Sequence, residues 1–123
     1  MSRTYFQHMT VDQLVARYIS IGVDQDKALL RNEIAKFNRL FDEMDAIENE
    51  LKGRNGDERR TLLNLYHHPN AQVRLNAAKA TLAVAPEPAR RKLQTMADSR
   101  EYPQAGDAGM TLYALDRGIF KPS

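Results

Sequence analysis

With 123 residues, 42% of them hydrophobic and 28% charged, and a net charge of +2, the chain has the composition of one globular domain with a single modest core. It is too apolar to be a disordered chain, and with no cysteine it can carry no disulfide framework, thiolate metal site or cysteine nucleophile. The first ten residues hold Arg3 and His8 but no apolar signal region, and the longest apolar run, Leu82 to Ala85, is far too short to span a bilayer. A cytoplasmic protein of bacterial kind, with no membrane partner, is the expectation.

Thr10 stands where an N-cap belongs, and Val11, Leu14, Val15, Tyr18 and Ile19 follow at helical spacing. That helix is expected to run to about Leu30, with Asp12 at its positive end and Gly22 costing about 1 kcal/mol relative to alanine. Asn32 is the expected cap of the next helix, whose stripe Ile34, Phe37, Leu40, Phe41, Met44, Ile47 and Leu51 predicts one buried face. Gly53 and Gly56 end it. A third helix opens at Asp57 with Leu62, Leu63, Leu65 and Tyr66, and Pro69-Asn70 breaks and recaps the chain. The fourth is expected from Ala71 to about Ala85, where Pro86 stops it. Pro88 suits the first turn of a fifth helix with Leu93 and Met96. After Tyr102-Pro103, a sixth runs from about Gln104 to Arg117, with Gly118 as C′ residue and Ile119-Phe120 folding back onto the last turn. No segment alternates with period two, so the prediction is all-α.

Residues 57–85 and 87–115 match at an offset of 30: Leu63 with Leu93, Tyr66 with Met96, Ala78 with Ala108, and Thr81-Leu82 with Thr111-Leu112. Each copy reads as a helix–turn–helix unit. Small residues at Ala77, Ala78, Ala105, Ala108 and Gly109 suit close helix packing. The stretch His68 to Leu82, with its polar turn, Val73-Arg74, Ala77-Ala78 and closing leucine, resembles the HEAT-like signature. In that signature the arginine after valine commonly fixes the inter-helix turn, which is the role implied for Arg74. The second copy departs from it, with Gln104 in place of Arg74 and Asp107 in place of Ala77, as a divergent terminal repeat would. Together with Ile34 to Phe41 and Asp98 to Met110, these stretches make nearly the whole chain similar to a bacterial family known only as a domain of unknown function. That resemblance implies a HEAT/armadillo-like α-superhelix of about six helices in three antiparallel pairs. As one domain over 1–123, it would comprise a long N-terminal pair (11–52), a HEAT-like repeat (57–85) and a terminal repeat (87–118). The resemblance supplies a fold and no activity.

Chemistry finds little footing. His67-His68 lacks the His-x-x-x-His or Glu-x-x-His spacing of a metal site and reads as a solvated helix end. The cluster Asp42, Glu43, Asp45, Glu48 and Glu50 reads as the exposed face opposite the apolar stripe. No catalytic motif, phosphate loop or cofactor signature is present. Residues 102–109, with their aromatic, acid and two glycines, read as a packing turn. Residues 59–100, however, carry eight bases against Glu87 and Asp98, a net +6, while residues 24–58 carry ten acids and six bases, a net −4. The first expectation is therefore a non-catalytic adaptor or regulator that binds another, acidic protein through Arg74, Lys79, Arg90, Arg91 and Tyr102. A homo-oligomer through an apolar helix face is a related form. The alternative is nucleic-acid backbone binding through the basic 59–100 segment, ranked lower because the chain has no tryptophan and few aromatics near those bases.

Overall fold

Thr10 starts the first long helix through a reciprocal cap: its Oγ1 accepts from Gln13 N, and its own backbone N–H donates to Gln13 Oε1. The computed structural model describes residues 3–123, and there the chain is all-α. The elements are α1 (Arg3–Gln7), α2 (Val11–Leu30), α3 (Ile34–Gly53), a 3-10 helix (Glu58–Leu65), α4 (Ala71–Ala80), α5 (Pro86–Asp98) and α6 (Gln104–Asp116). Among the described residues no helix is long and apolar enough to cross a membrane.

Several boundaries differ from the sequence expectation. Asn32 does not cap α3. It sits at φ 56, in the left-handed region that ends α2, and Glu33 occupies the cap position without a side-chain bond. The third helix is 3-10, not α, with Leu62 and Leu65 buried three residues apart, the spacing that aligns side chains at three residues per turn. Helix α4 ends at Ala80, five residues early, with Thr81 at its C-terminal cap, where the hydroxyl donates to Ala77 O and pairs with the Tyr66 hydroxyl. Pro86 is then the first residue of α5, where its missing N–H costs nothing. The short α1 falls in a stretch where no helix was expected.

The chain divides into two compact units, one ending at Thr61 and the other running Leu62–Ser123. In the first, α2 packs against α3, and α1 packs on α3. Leu14, Tyr18, Ile21, Gln25 and Ala28 of α2 face Leu40, Met44, Ile47 and Leu51 of α3, all buried. Both rows step by four and three, the narrow seam of a two-helix contact. Ile34 and Phe41, expected within the stripe, lie outside that seam and are 65% and 46% exposed. Arg54 ties the N-terminal segment to the end of α3, donating to Phe6 O (3.1 Å) and Met9 O (2.6 Å) while its Nε pairs with Glu50.

In the second unit α5 and α6 pair, and α4 packs on both. Val73, Leu75, Ala77 and Ala78 of α4 are buried with Ala89, Leu93 and Met96 of α5 and Ala105, Ala108 and Leu112 of α6. Each fully buried large aliphatic side chain contributes about 1.5–3 kcal/mol. A buried amide chain joins α6 to α4: Gln104 Nε2 donates to Gln72 Oε1, and Gln72 Nε2 to Asn76 Oδ1, each at 3.0 Å. Gly118, at φ 68, closes α6 as expected, with Gly118 N bonded to Leu115 O and Ile119 N to Ala114 O.

Candidate functional site

The second unit holds a cleft of about 290 Å³ between the 66–69 turn, the start of α4 and the outer face of α5. The turn is built by its own polar groups. Asn70 caps α4, its Oδ1 accepting from Gln72 N (2.9 Å) and Val73 N (3.2 Å), while Asn70 N donates to His68 Nδ1 (3.0 Å). One turn into α4, the Arg74 guanidinium reaches back and donates to His68 O (2.8 Å) and Pro69 O (3.0 Å), then pairs with Glu101 Oε1 at 3.0 Å. Arg74 thus holds the inter-helix turn from below and the α5–α6 connection from the side.

Helix α5 lines the cleft with Lys92, Thr95 and Met96, and its C-cap Ser99 continues that wall. The two hydroxyls are engaged by their own helix, Thr95 with Arg91 O and Ser99 with Met96 O. Lys92 is half-buried and makes no ion pair among the described residues. Burial and the neighbouring Arg74 hold its pKa below the usual lysine value, with Glu101 pulling the other way. Tyr66 at the base is raised above the usual tyrosine value by burial, with its bond to Thr81 opposing the shift. Among the described residues no three His, Cys, Asp or Glu side chains converge as a metal would need.

Of the five residues singled out in the sequence, three are engaged in ion pairs within the second unit. Arg74 is inside the cleft, its side chain 15% exposed. Lys79 bridges α4 to α6 through Asp107 (3.0 Å), and Arg90 bridges α5 to α6 through Asp116 (2.6 Å). Arg91 is exposed on α5. Tyr102 is 71% exposed at a cis Tyr102–Pro103 bond, with its ring against Gly106. The basic span 59–100 is also less positive than its count: Arg59, Arg74, Arg90 and Lys79 pair with Asp57, Glu101, Asp116 and Asp107. All four acids lie outside the span, so including them reduces its +6 to +2.

Residues 12–116 match DUF2019, a domain of unknown function. The chain belongs to the DUF2019 family. It is also similar to the protein RPA1889 from Rhodopseudomonas palustris CGA009, whose crystal structure superposes with a TM-score of 0.93 at 55% identity, over 95% of this chain and 97% of that one. No curated protein matches it. DUF2019 membership assigns no chemistry, so the cleft is interpreted from its own side chains. Of these, sequence reasoning singled out Arg74 and passed over Lys92 and Glu101. The signal for Glu101 was the divergence of the second repeat: with Gln104 at the position equivalent to Arg74, a single arginine serves both connections.

Proposed function

We propose that this protein is a non-catalytic, cytoplasmic protein-binding module of HEAT/armadillo-like type. The observation that carries the reading is the set of large apolar side chains each unit leaves in solvent. In the first unit Leu30, Ile34 and Phe41 are 81%, 65% and 46% exposed around the α2–α3 connection. In the second, Met110, Tyr113 and Ile119 are 76%, 56% and 74% exposed along and beyond α6. Where exposed apolar side chains form a contiguous patch they mark an interaction surface; Met110 and Tyr113, three residues apart in α6, occupy neighbouring positions, and Leu30 and Ile34 flank the α2–α3 connection. Support for the repeat reading comes from a hydrogen bond that recurs at the offset of 30: Thr81 Oγ1 to Ala77 O at 2.8 Å and Thr111 Oγ1 to Asp107 O at 2.9 Å. The pairing of four of the eight bases in 59–100 weakens the case for nucleic acid.

The test is affinity capture of tagged protein from its host's lysate at physiological salt, with and without nuclease, followed by reconstitution from purified components. A stoichiometric protein that survives nuclease, and is lost with Met110→Asp while far-UV circular dichroism is unchanged, supports the reading. Capture abolished by nuclease overturns it.

A further inference from the structure

Lys92 is partly buried in the cleft wall, with a second cation beside it in Arg74 and one lining carboxylate, Glu101, which is already bonded to Arg74. With the histidines neutral, the cleft carries one net positive charge. A charge held in this way is stabilised by whatever anion can reach it. The bond from Asn70 N to His68 Nδ1 requires that nitrogen to be unprotonated, so in the neutral ring the proton sits on Nε2 and the imidazole offers a donor. Donors therefore come from three elements around the cleft: the 66–69 turn, α4 and α5. Such a spread suits a tetrahedral oxyanion better than a planar carboxylate, which pairs best with one bidentate fork. Tyr66, Pro69 and Met96 add apolar wall for the carbon part of an ester. The volume, about 290 Å³, is at the lower end for a small-molecule site.

We propose that this cleft binds a phosphate group, free or as a small monoester, with Lys92 as its charged contact and His68 as a neutral donor. Glu101 acts against the ligand. Its side chain is 59% exposed, so its pair with Arg74 is a weak one that an entering dianion displaces at little cost. This site is separate from the apolar surfaces of the proposed partner-binding function, and either reading can fail without the other.

The experiment is titration of the full-length protein by ¹H–¹⁵N correlation NMR at fixed ionic strength, with inorganic phosphate, glycerol 3-phosphate and acetate as probes. Saturable shifts confined to residues 66–74 and 92–101 are expected for both phosphates, with acetate at least tenfold weaker. Lys92→Gln should weaken phosphate at least tenfold and Glu101→Gln should tighten it, while Lys121→Gln, on the exposed C-terminal tail, should leave it unchanged. Tighter binding of glycerol 3-phosphate than of inorganic phosphate would assign the natural ligand to the monoesters, and the reverse to the free anion. Absence of saturation, equal binding of acetate, or an equal loss in Lys92→Gln and Lys121→Gln would overturn the proposal.

Discussion

Replacing Arg74 by alanine tests whether one side chain holds two connections of the second unit. The substitution removes charged hydrogen bonds to His68 O and Pro69 O and the pair with Glu101. Bonds to a charged donor contribute about 1.5–3 kcal/mol each, and a partly buried carbonyl left without a partner adds to the loss. The pair with Glu101 contributes less, about 0–1 kcal/mol, because that carboxylate is 59% exposed. Because the bond to Pro69 O is exposed and water can replace it, only the part-buried bond to His68 O counts at full value, so Arg74→Ala should destabilise by about 2–4 kcal/mol, and Glu101→Ala by under about 1 kcal/mol. Arg74→Lys should fall between the two, since an ammonium cannot reproduce the fork. Urea unfolding followed by far-UV circular dichroism measures all three, with unchanged m-values confirming that stability alone has moved. Equal losses in Arg74→Ala and Glu101→Ala would refute the claim that the carbonyl bonds, and not the ion pair, carry the energy.

Two further outcomes follow from the helices themselves. Gly109 lies inside α6, where an added Cβ would meet only Ala97 Cβ, at 4.0 Å; Gly109→Ala should stabilise by about 0.5–1 kcal/mol in the same assay, and a loss would show that close packing does demand glycine there. Tyr18, fully buried with its hydroxyl donating to Glu48 Oε2 at 2.7 Å, has its pKa raised well above 10.0 by burial first and then by Glu48. Its contribution is fully present below that unfolded-state value and is lost as pH rises above it, when only the unfolded chain ionises. Urea titrations at about pH 9 to 11 should show a fall in stability that is shallower in Tyr18→Phe, by up to about 1.4 kcal/mol per pH unit. Identical slopes would refute the shift.

The all-α class was legible because α2 and α3 show a helical period and because α2 and α6 each carry a characteristic terminal residue at one end. Thr10 caps and Gly118 closes in the manner those residue types favour. Less legible was how much of a stripe finds a partner. Phe41 shares a face with Leu40 and Met44 on a helical wheel, yet a contact between two helices buries only the four-three row, and the flanking ring stays in solvent. Helix type near residues 58–65 was also hidden, since three leucines in four residues satisfy either helix. Arg74 was readable as a turn-fixing residue through its place after Val73. The cleft beside it was not, because Lys92 and Glu101 approach Arg74 from 18 and 27 residues away and local spacing carries no record of such distances.

The pairing of the basic segment bears on kinetics as much as on equilibrium. Each base with an acid at about 3 Å presents a dipole to anything farther away, and a dipole's field fades more steeply with distance than that of a free charge. With a Debye length of about 8 Å in the cell, little of it reaches an approaching molecule. Encounter with a polyanion should then proceed at the unsteered rate of about 10⁵–10⁶ M⁻¹s⁻¹ and change little with salt. Under the proposed partner-binding function, discrimination between partners would act at contact, through exposed side chains such as Met110 and Tyr113, and would show in how long a complex lasts more than in how fast it forms.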